Sequence, residues 1–384
     1  MTTRRPRRGF TLIELMISLV ISTLFVIMIL SIFSRMSFAY REQQQIVQVQ
    51  QQLTSARTLI ERDAKQAGYA MSQGFKISYD GQTGTGLMHS PIRVVNSSTA
   101  PDQIGFYYAD GSTQALVTSA GAATTISVDS STGFAAGDLV VLSTADTTSF
   151  SNPIAPLTDA KITKFDACVV MIQTVSATTV TFSQTGAWGN TNNTHCNNTT
   201  ANTTMMYEFV GHYWRIDTAP PAPDTTTSGL LELSIAAGAT STANLNPGLN
   251  VWNKEGYDFT DIQVATQFWD NDLIDEDGIL PVDATRDWWS STQQDTWTQP
   301  ILNNLAFIPP IGMAISIVAR TDKDVEGIST VNSPSLKGTI LNNNNTGDRA
   351  SFALPSGTDP LYQGKRIYRY ITFGVDLRNV GVGR

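Results

Sequence analysis

Glu14 is the one ionisable side chain in an unbroken apolar run from Phe10 to Phe33. A carboxylate so placed is costly in lipid and calls for a cationic partner. A second group of carboxylates, Asp270, Asp272, Asp275 and Asp277, stands ahead of Gly278. Alternating oxygen ligands before a glycine turn suit a hard cation such as Ca²⁺, although no Glu occupies the twelfth position of the helix–loop–helix calcium pattern. An acidic hairpin tip without an ion is the other reading of the same residues. His89, His195 and His212 lie in no recognisable nucleophile setting, no Gly-x-Ser-x-Gly occurs, and no glycine loop cradles phosphate. So few His and Cys residues exclude a zinc cluster or an iron–sulfur site. These residues point away from an enzyme.

The element that must hold Glu14 is a helix. The 24 residues from Phe10 to Phe33 reach about 36 Å as a helix, long enough to cross a hydrocarbon core. Arg4, Arg5, Arg7 and Arg8 precede the run, which puts the N-terminus in the cytoplasm and sends the bulk across the membrane. The run is too long for a cleaved secretory signal and has no small-x-small site after it. Neither Gly nor Pro interrupts residues 10–67, so the helix is expected to continue for about 87 Å. Beyond the membrane, Ile46, Val49, Leu53, Ala56, Ile60, Ala64, Ala67 and Met71 recur at spacings of three and four, an amphipathic stripe. Its polar face is read as a run of glutamines followed by Arg57, Glu61, Arg62, Asp63 and Lys65. The stripe is short for a coiled coil, so packing on a sheet is expected, with Gly68 and Gly74 bracketing the helix end.

The formal charge is −8, and without the four leader arginines the remainder is more acidic still, so no nucleic-acid partner is expected. Thr, Ser, Asn, Gly and Val dominate the rest of the chain in short alternating runs. Strands are predicted over 103–108, 125–128, 138–143, 169–175, 179–183, 206–216, 230–235, 262–269, 314–319 and 367–375. The runs at 134–143 and 168–175 read as paired strands. Pro220, Pro221 and Pro223 mark a linker or hairpin tip, where two lobes of the region would meet near 220–229. In an exported chain the two cysteines, Cys168 and Cys196, are most simply one disulfide, worth about 3–4 kcal/mol on the chain-entropy model. Two buried free thiols are the alternative. Four of the seven tryptophans (Trp269, Trp288, Trp289, Trp297) sit among acidic residues, as a core beside an acidic loop or as a binding surface.

The Arg-rich leader, Gly9, and then Phe10-Thr11-Leu12-Ile13-Glu14-Leu15 resemble the class III prepilin signal of type IV pilins and type II secretion pseudopilins. The resemblance implies that a prepilin peptidase cuts between Gly9 and Phe10 and methylates Phe10. It also implies that Glu14 pairs with the new α-ammonium, of its own chain or of a neighbour, and sets the register of assembly. Farther on, Arg62-Asp63 followed by Ala67-Gly68-Tyr69 resembles the PilW-type minor pilins, with the J-type pseudopilins as close relatives; PilW-like proteins also resemble the basic, aromatic strand ending at Leu377-Arg378-Asn379.

The expected fold is α+β and pilin-like. A long N-terminal α-helix, half transmembrane and half amphipathic, packs on an antiparallel β-sheet, with a large β-rich C-terminal globular region. The divisions are a cytoplasmic leader (1–9), a transmembrane or filament-core helix (10–33), an amphipathic half (34–73) and a β-rich periplasmic region (74–384). The resemblance implies a non-enzymatic minor pilin that primes or caps type IV pilus assembly. Its partners would be the prepilin peptidase, other minor and major pilins and the inner membrane, and its destination the pilus tip. A J-type pseudopilin of a type II secretion system and a pilus-tip adhesin are the alternatives. No cofactor is expected beyond the Ca²⁺ reading.

Overall fold

The computed structural model describes residues 11–71, 74–77, 90–95, 101–120, 125–146, 164–183, 202–217, 229–235, 253–267, 312–321, 366–377 and 379. Helix α1 runs unbroken over Leu12–Gln66, close to the span expected from the absence of Gly and Pro. Its first turn is closed by Thr11, whose Oγ1 accepts from the Glu14 N–H. The N-terminal part is apolar and long enough to cross a membrane, and among the described residues none of that stretch is buried. From Val49 onward one face is buried: Val49, Leu53, Ala56, Ile60 and Ala64. The helix stops where Gly68 and Ala70 take up left-handed backbone conformations.

Ten strands form one sheet: β1 (Lys76–Ile77), β2 (Ile92–Val95), β3 (Gln103–Ala120), β4 (Thr125–Val128), β5 (Leu139–Asp146), β6 (Lys164–Val175), β7 (Thr179–Ser183), β8 (Thr204–Asp217), β9 (Gly229–Ile235) and β10 (Asn253–Lys254). The two long strands, β3 and β8, pair with each other along most of their length. At one end β2 and β9 flank this pair, in the order β2-β3-β8-β9, as an open sheet. At the other end the pairing order β3-β4-β7-β6-β5-β8 returns to β3 and closes a six-stranded antiparallel barrel. The pairing of β5 with β6 is the one expected from the sequence. Residues 218–228, with the proline cluster, lie outside the described residues and join β8 to its antiparallel neighbour β9.

A bulge in β3 makes the two ends continuous. Asp110 pairs with Glu208, yet the next paired residue is Gln114, opposite Tyr207, so residues 111–113 are extra. Asp110 stabilises the detour by accepting from the Ser112 N–H and hydroxyl, both at 2.8 Å. An odd insertion reverses the alternation of side chains. Ile104 and Phe106 therefore share a face with Ala115 and Val117, while Tyr107 and Ala109 point the other way. In unbulged β8, Trp214 and Ile216 share the face of Met206. One face of the sheet thus covers α1 at one end and lines the barrel interior at the other. The barrel is filled by side chains such as Val140, Leu142, Cys168, Val170, Ile172 and Phe182. Its outer wall, with Val141, Val169, Phe209 and Tyr213, is covered by Met71 and Phe75 from the chain leaving the helix.

A second, three-stranded antiparallel sheet consists of β11 (Phe259–Gln267), β12 (Gly312–Arg320) and β13 (Tyr368–Asp376). Ile262, Val264, Ile315, Ile317, Phe373 and Val375 pack into the same core as the helix stripe. Asp102 joins the sheets, donating its N–H to the Ile262 carbonyl and accepting the Val264 N–H, each at 2.9 Å. The α+β fold is as expected: a long apolar-to-amphipathic helix on antiparallel sheet.

Candidate functional site

Two stations on α1 carry the polar chemistry, one at its start and one at its end. At the start, Glu14 is the third residue of the helix, where backbone N–H groups have no partner within the helix. Its Oε2 accepts from the Thr11 N–H and from the Thr11 hydroxyl, both at 3.0 Å. With the return bond from the Glu14 N–H to Thr11 Oγ1 this is a reciprocal capping box. Oε1 has no hydrogen-bond partner among the described residues, and the side chain is exposed. A carboxylate at a helix N-terminus with one oxygen open is an acceptor for an incoming cation. Gly9 and Phe10, where processing is expected, lie outside the described residues.

At the helix end the structure corrects the reading of Asp63 as part of the polar face: it is fully buried. It lies one turn from Ile60 and Ala67, so its side chain enters the sheet with theirs. There it is satisfied from three sides. Trp214 Nε1 donates to Oδ2 at 3.1 Å, His212 Nδ1 lies 3.0 Å from the same oxygen, and Arg62 donates Nε and Nη2 to Oδ1 at 3.1 and 3.0 Å. Its carbonyl also accepts the Ala67 N–H. The rest of the motif continues the join. The Gly68 N–H donates to the Tyr107 carbonyl at 2.9 Å, the Ala109 N–H donates to the Tyr69 carbonyl at 3.2 Å, and the Tyr69 ring meets Tyr207 edge-on. Arg62, Asp63, Gly68 and Tyr69 thus fasten the helix to β3 and β8. His212 and Trp214 as partners of Asp63 were missed by sequence reasoning. The available signal was an acid spaced as a member of the apolar stripe.

Exposed pairs decorate the same turn: Lys65 donates to Glu61 at 2.6 Å and Arg57 at 3.4 Å. The Lys65 hydrogen bond holds the Glu61 carboxyl below its ordinary pKa. On the barrel, partial burial and then the charges of Asp110 and Asp138 push Glu208 above the ordinary carboxylate value. A raised folded-state pKa means that the native protein binds this proton more tightly than the unfolded chain does. The stabilising contribution is present at acid pH and is lost as pH rises through the folded-state value. Glu208→Gln is therefore expected to raise the urea midpoint of the full-length chain at pH 7, and to make no difference well below the carboxylate range. An equal effect at both pH values would contradict this.

The remaining predicted sites fare unequally. Cys168 is buried inside the barrel wall, whereas Cys196 lies outside the described residues. Asp270, Asp272, Asp275 and Asp277 follow β11 and also lie outside them, as do the four tryptophans of that region. Among the described residues no group of three His, Cys, Asp or Glu side chains is placed to hold a metal ion. Arg366, just ahead of β13, is occupied internally, donating to the Thr321 carbonyl at 3.0 Å and lying 3.5 Å from Asp258.

Comparison with known proteins adds one finding. Residues 4–30 match the prokaryotic N-terminal methylation motif. The match covers residues 4–9 of the leader, the expected cleavage point and Glu14, and it supports a type IV pilin-like protein processed by prepilin peptidase, anchored in a membrane and assembled with other pilins. It points to a structural family. No curated protein and no solved structure matches the chain.

Proposed function

We propose that the chain is a structural minor pilin of the PilW type that primes or caps type IV pilus assembly. The observation that carries the reading is the pairing of a methylation-type N-terminus with an apolar helix half that is exposed among the described residues. The mature chain would begin at Phe10, its helix waiting in the inner membrane with the globular region in the periplasm. Assembly would move that helix into a filament core, with Glu14 on the α-ammonium of a neighbouring subunit. The open Oε1 of Glu14 and its place at the helix N-terminus support this role. The rigid join at Asp63 supports a second part of it, since a body fastened to the stem is placed by the stem. Deleting the gene is expected to abolish surface pili and leave secretion intact. Lost enzyme secretion with normal pili would instead identify a J-type pseudopilin, and normal pili with lost attachment a tip adhesin.

Two site assignments accompany this reading. Cys168 is proposed to pair with Cys196, the chain's other cysteine, a reading supported by the absence of a free thiol among the described residues. Asp270, Asp272, Asp275 and Asp277 are proposed as a Ca²⁺ loop on the sequence pattern alone. Calorimetric titration of the chain with Ca²⁺ is expected to give a saturable signal that Asp272→Asn weakens; a flat thermogram removes the proposal.

A further inference from the structure

A short stretch of α1 between the apolar half and the packed half carries two arginines and two aromatics that are all exposed. Among the described residues Arg35 and Arg41 have neither an ion pair nor a hydrogen bond, and Phe38 and Tyr40 are 44 % and 62 % exposed. Their distribution differs from that of a contact face. At about 100° per residue, Phe38, Tyr40 and Arg41 stand about 300°, 140° and 240° round the axis from Arg35. The packed stripe is one-sided by the same measure, with Leu53, Ala56 and Ile60 about 40°, 340° and 20° from Val49. A surface that docks on one neighbour needs one face. A collar suits surroundings that are the same on every side.

Axial position identifies those surroundings. At about 1.5 Å per residue, Arg35 lies about 36 Å and Arg41 about 45 Å from Thr11. A hydrocarbon core is about 30 Å thick, and about 40–45 Å with its headgroups. With the helix start at the inner surface, the four residues fall in the outer headgroup layer. That layer favours amphipathic rings and guanidinium groups, which hydrogen-bond phosphate. The local charge is mixed only by Glu42 at the outer edge.

We propose that Arg35, Phe38, Tyr40 and Arg41 form an interfacial collar that binds the phosphate headgroups of the outer leaflet of the membrane. The collar fixes how deep the stem sits before assembly. This rests on reading α1 as the membrane-anchored stem of a pilin-like protein.

The test places a photoreactive benzoylphenylalanine at Ala39, which is exposed within the collar, in the full-length chain in native membranes. Phospholipid adducts are expected by mass spectrometry; adducts to protein alone would show that a neighbouring subunit occupies the position and would overturn the proposal. In a second arm, Arg35→Gln and Arg41→Gln are compared with the parent chain. The ratio of phosphatidylglycerol to phosphatidylethanolamine adducts is expected to fall about five-fold for each arginine removed. The N-terminal leader, cleaved or not, is the same in every variant and lies on the other side of the membrane, so it cancels. Both lipids carry the phosphate and differ in net charge, so an unchanged ratio overturns the attraction of Arg35 and Arg41 to anionic phosphate headgroups. Neither readout uses piliation, so lipid adducts on a chain that never enters a pilus would sink the pilin reading and leave the collar standing.

Discussion

Asp63→Ala is expected to destabilise the chain by about 3–5 kcal/mol, the range for removing one partner of a buried, charge-assisted network. The substitution leaves the indole N–H of Trp214 without its acceptor in a fully buried position. It also strips the carboxylate from beside His212 and Arg62. A domain has about 5–15 kcal/mol in total, so the loss takes a large part of what holds the helix to the sheet. Asp63→Asn separates charge from acceptance. An amide oxygen still accepts from Trp214 while the ion pair with Arg62 is gone, so a smaller loss of about 1–2 kcal/mol is expected. Trp214→Phe removes the donor and keeps most of the buried ring. If the bond between them matters, Asp63→Ala and Trp214→Phe together should cost less than their sum. Urea unfolding of the full-length chain in detergent, followed by circular dichroism, reads all four variants. Additive losses, or an Asp63→Ala midpoint equal to that of the parent, would refute the network.

That prediction rests on a residue whose role the sequence half concealed. The helix was legible because its signals are local: a capping Thr11, no breaker for more than fifty residues, and an apolar stripe at spacings of three and four. Asp63 sits on that stripe, but burial of a charge depends on partners 149 and 151 residues away, as His212 and Trp214 show. Composition carries no trace of such pairings. The strands were legible where hydrophobic alternation was clean, as in β4 and β7, whose limits match those expected. For β3 the sequence reading ended at Tyr108 because Asp110-Gly111 is turn chemistry. The chain uses those residues for a bulge and continues for nine more. Barrel closure went unseen for the same reason, since it needs β3 long enough to reach both β8 and β4. The two-residue strands β1 and β10 are too short for any periodicity.

Glu14 poses the sharper question, because its carboxylate has two functions that different substitutions separate. Within one chain it closes the capping box with Thr11, worth about 1 kcal/mol of helix start. Between chains it is proposed to meet an α-ammonium, and an unpaired charge left in an apolar filament core would cost about 3–5 kcal/mol. Glu14→Ala loses both. Glu14→Gln keeps a side chain that can accept from the Thr11 N–H, since Gln serves at this position of the box as Glu does, but it carries no charge. If charge sets register, Gln should fail as badly as Ala, with incorporation reduced about a hundred-fold or more, the scale of a loss of about 3 kcal/mol. If the cap is what matters, Gln should assemble like the parent chain and only Ala should fail. Glu14→Asp keeps the charge on a shorter stem and should lie between the two. The readout is the amount of each variant recovered in sheared pili relative to the membrane fraction, with the processed N-terminus of every variant verified by mass spectrometry. That verification is decisive, because uncleaved chains would be excluded from filaments whatever residue stood at position 14. Normal incorporation of correctly processed Glu14→Gln would therefore exclude the inter-subunit ion pair and leave Glu14 as a helix cap.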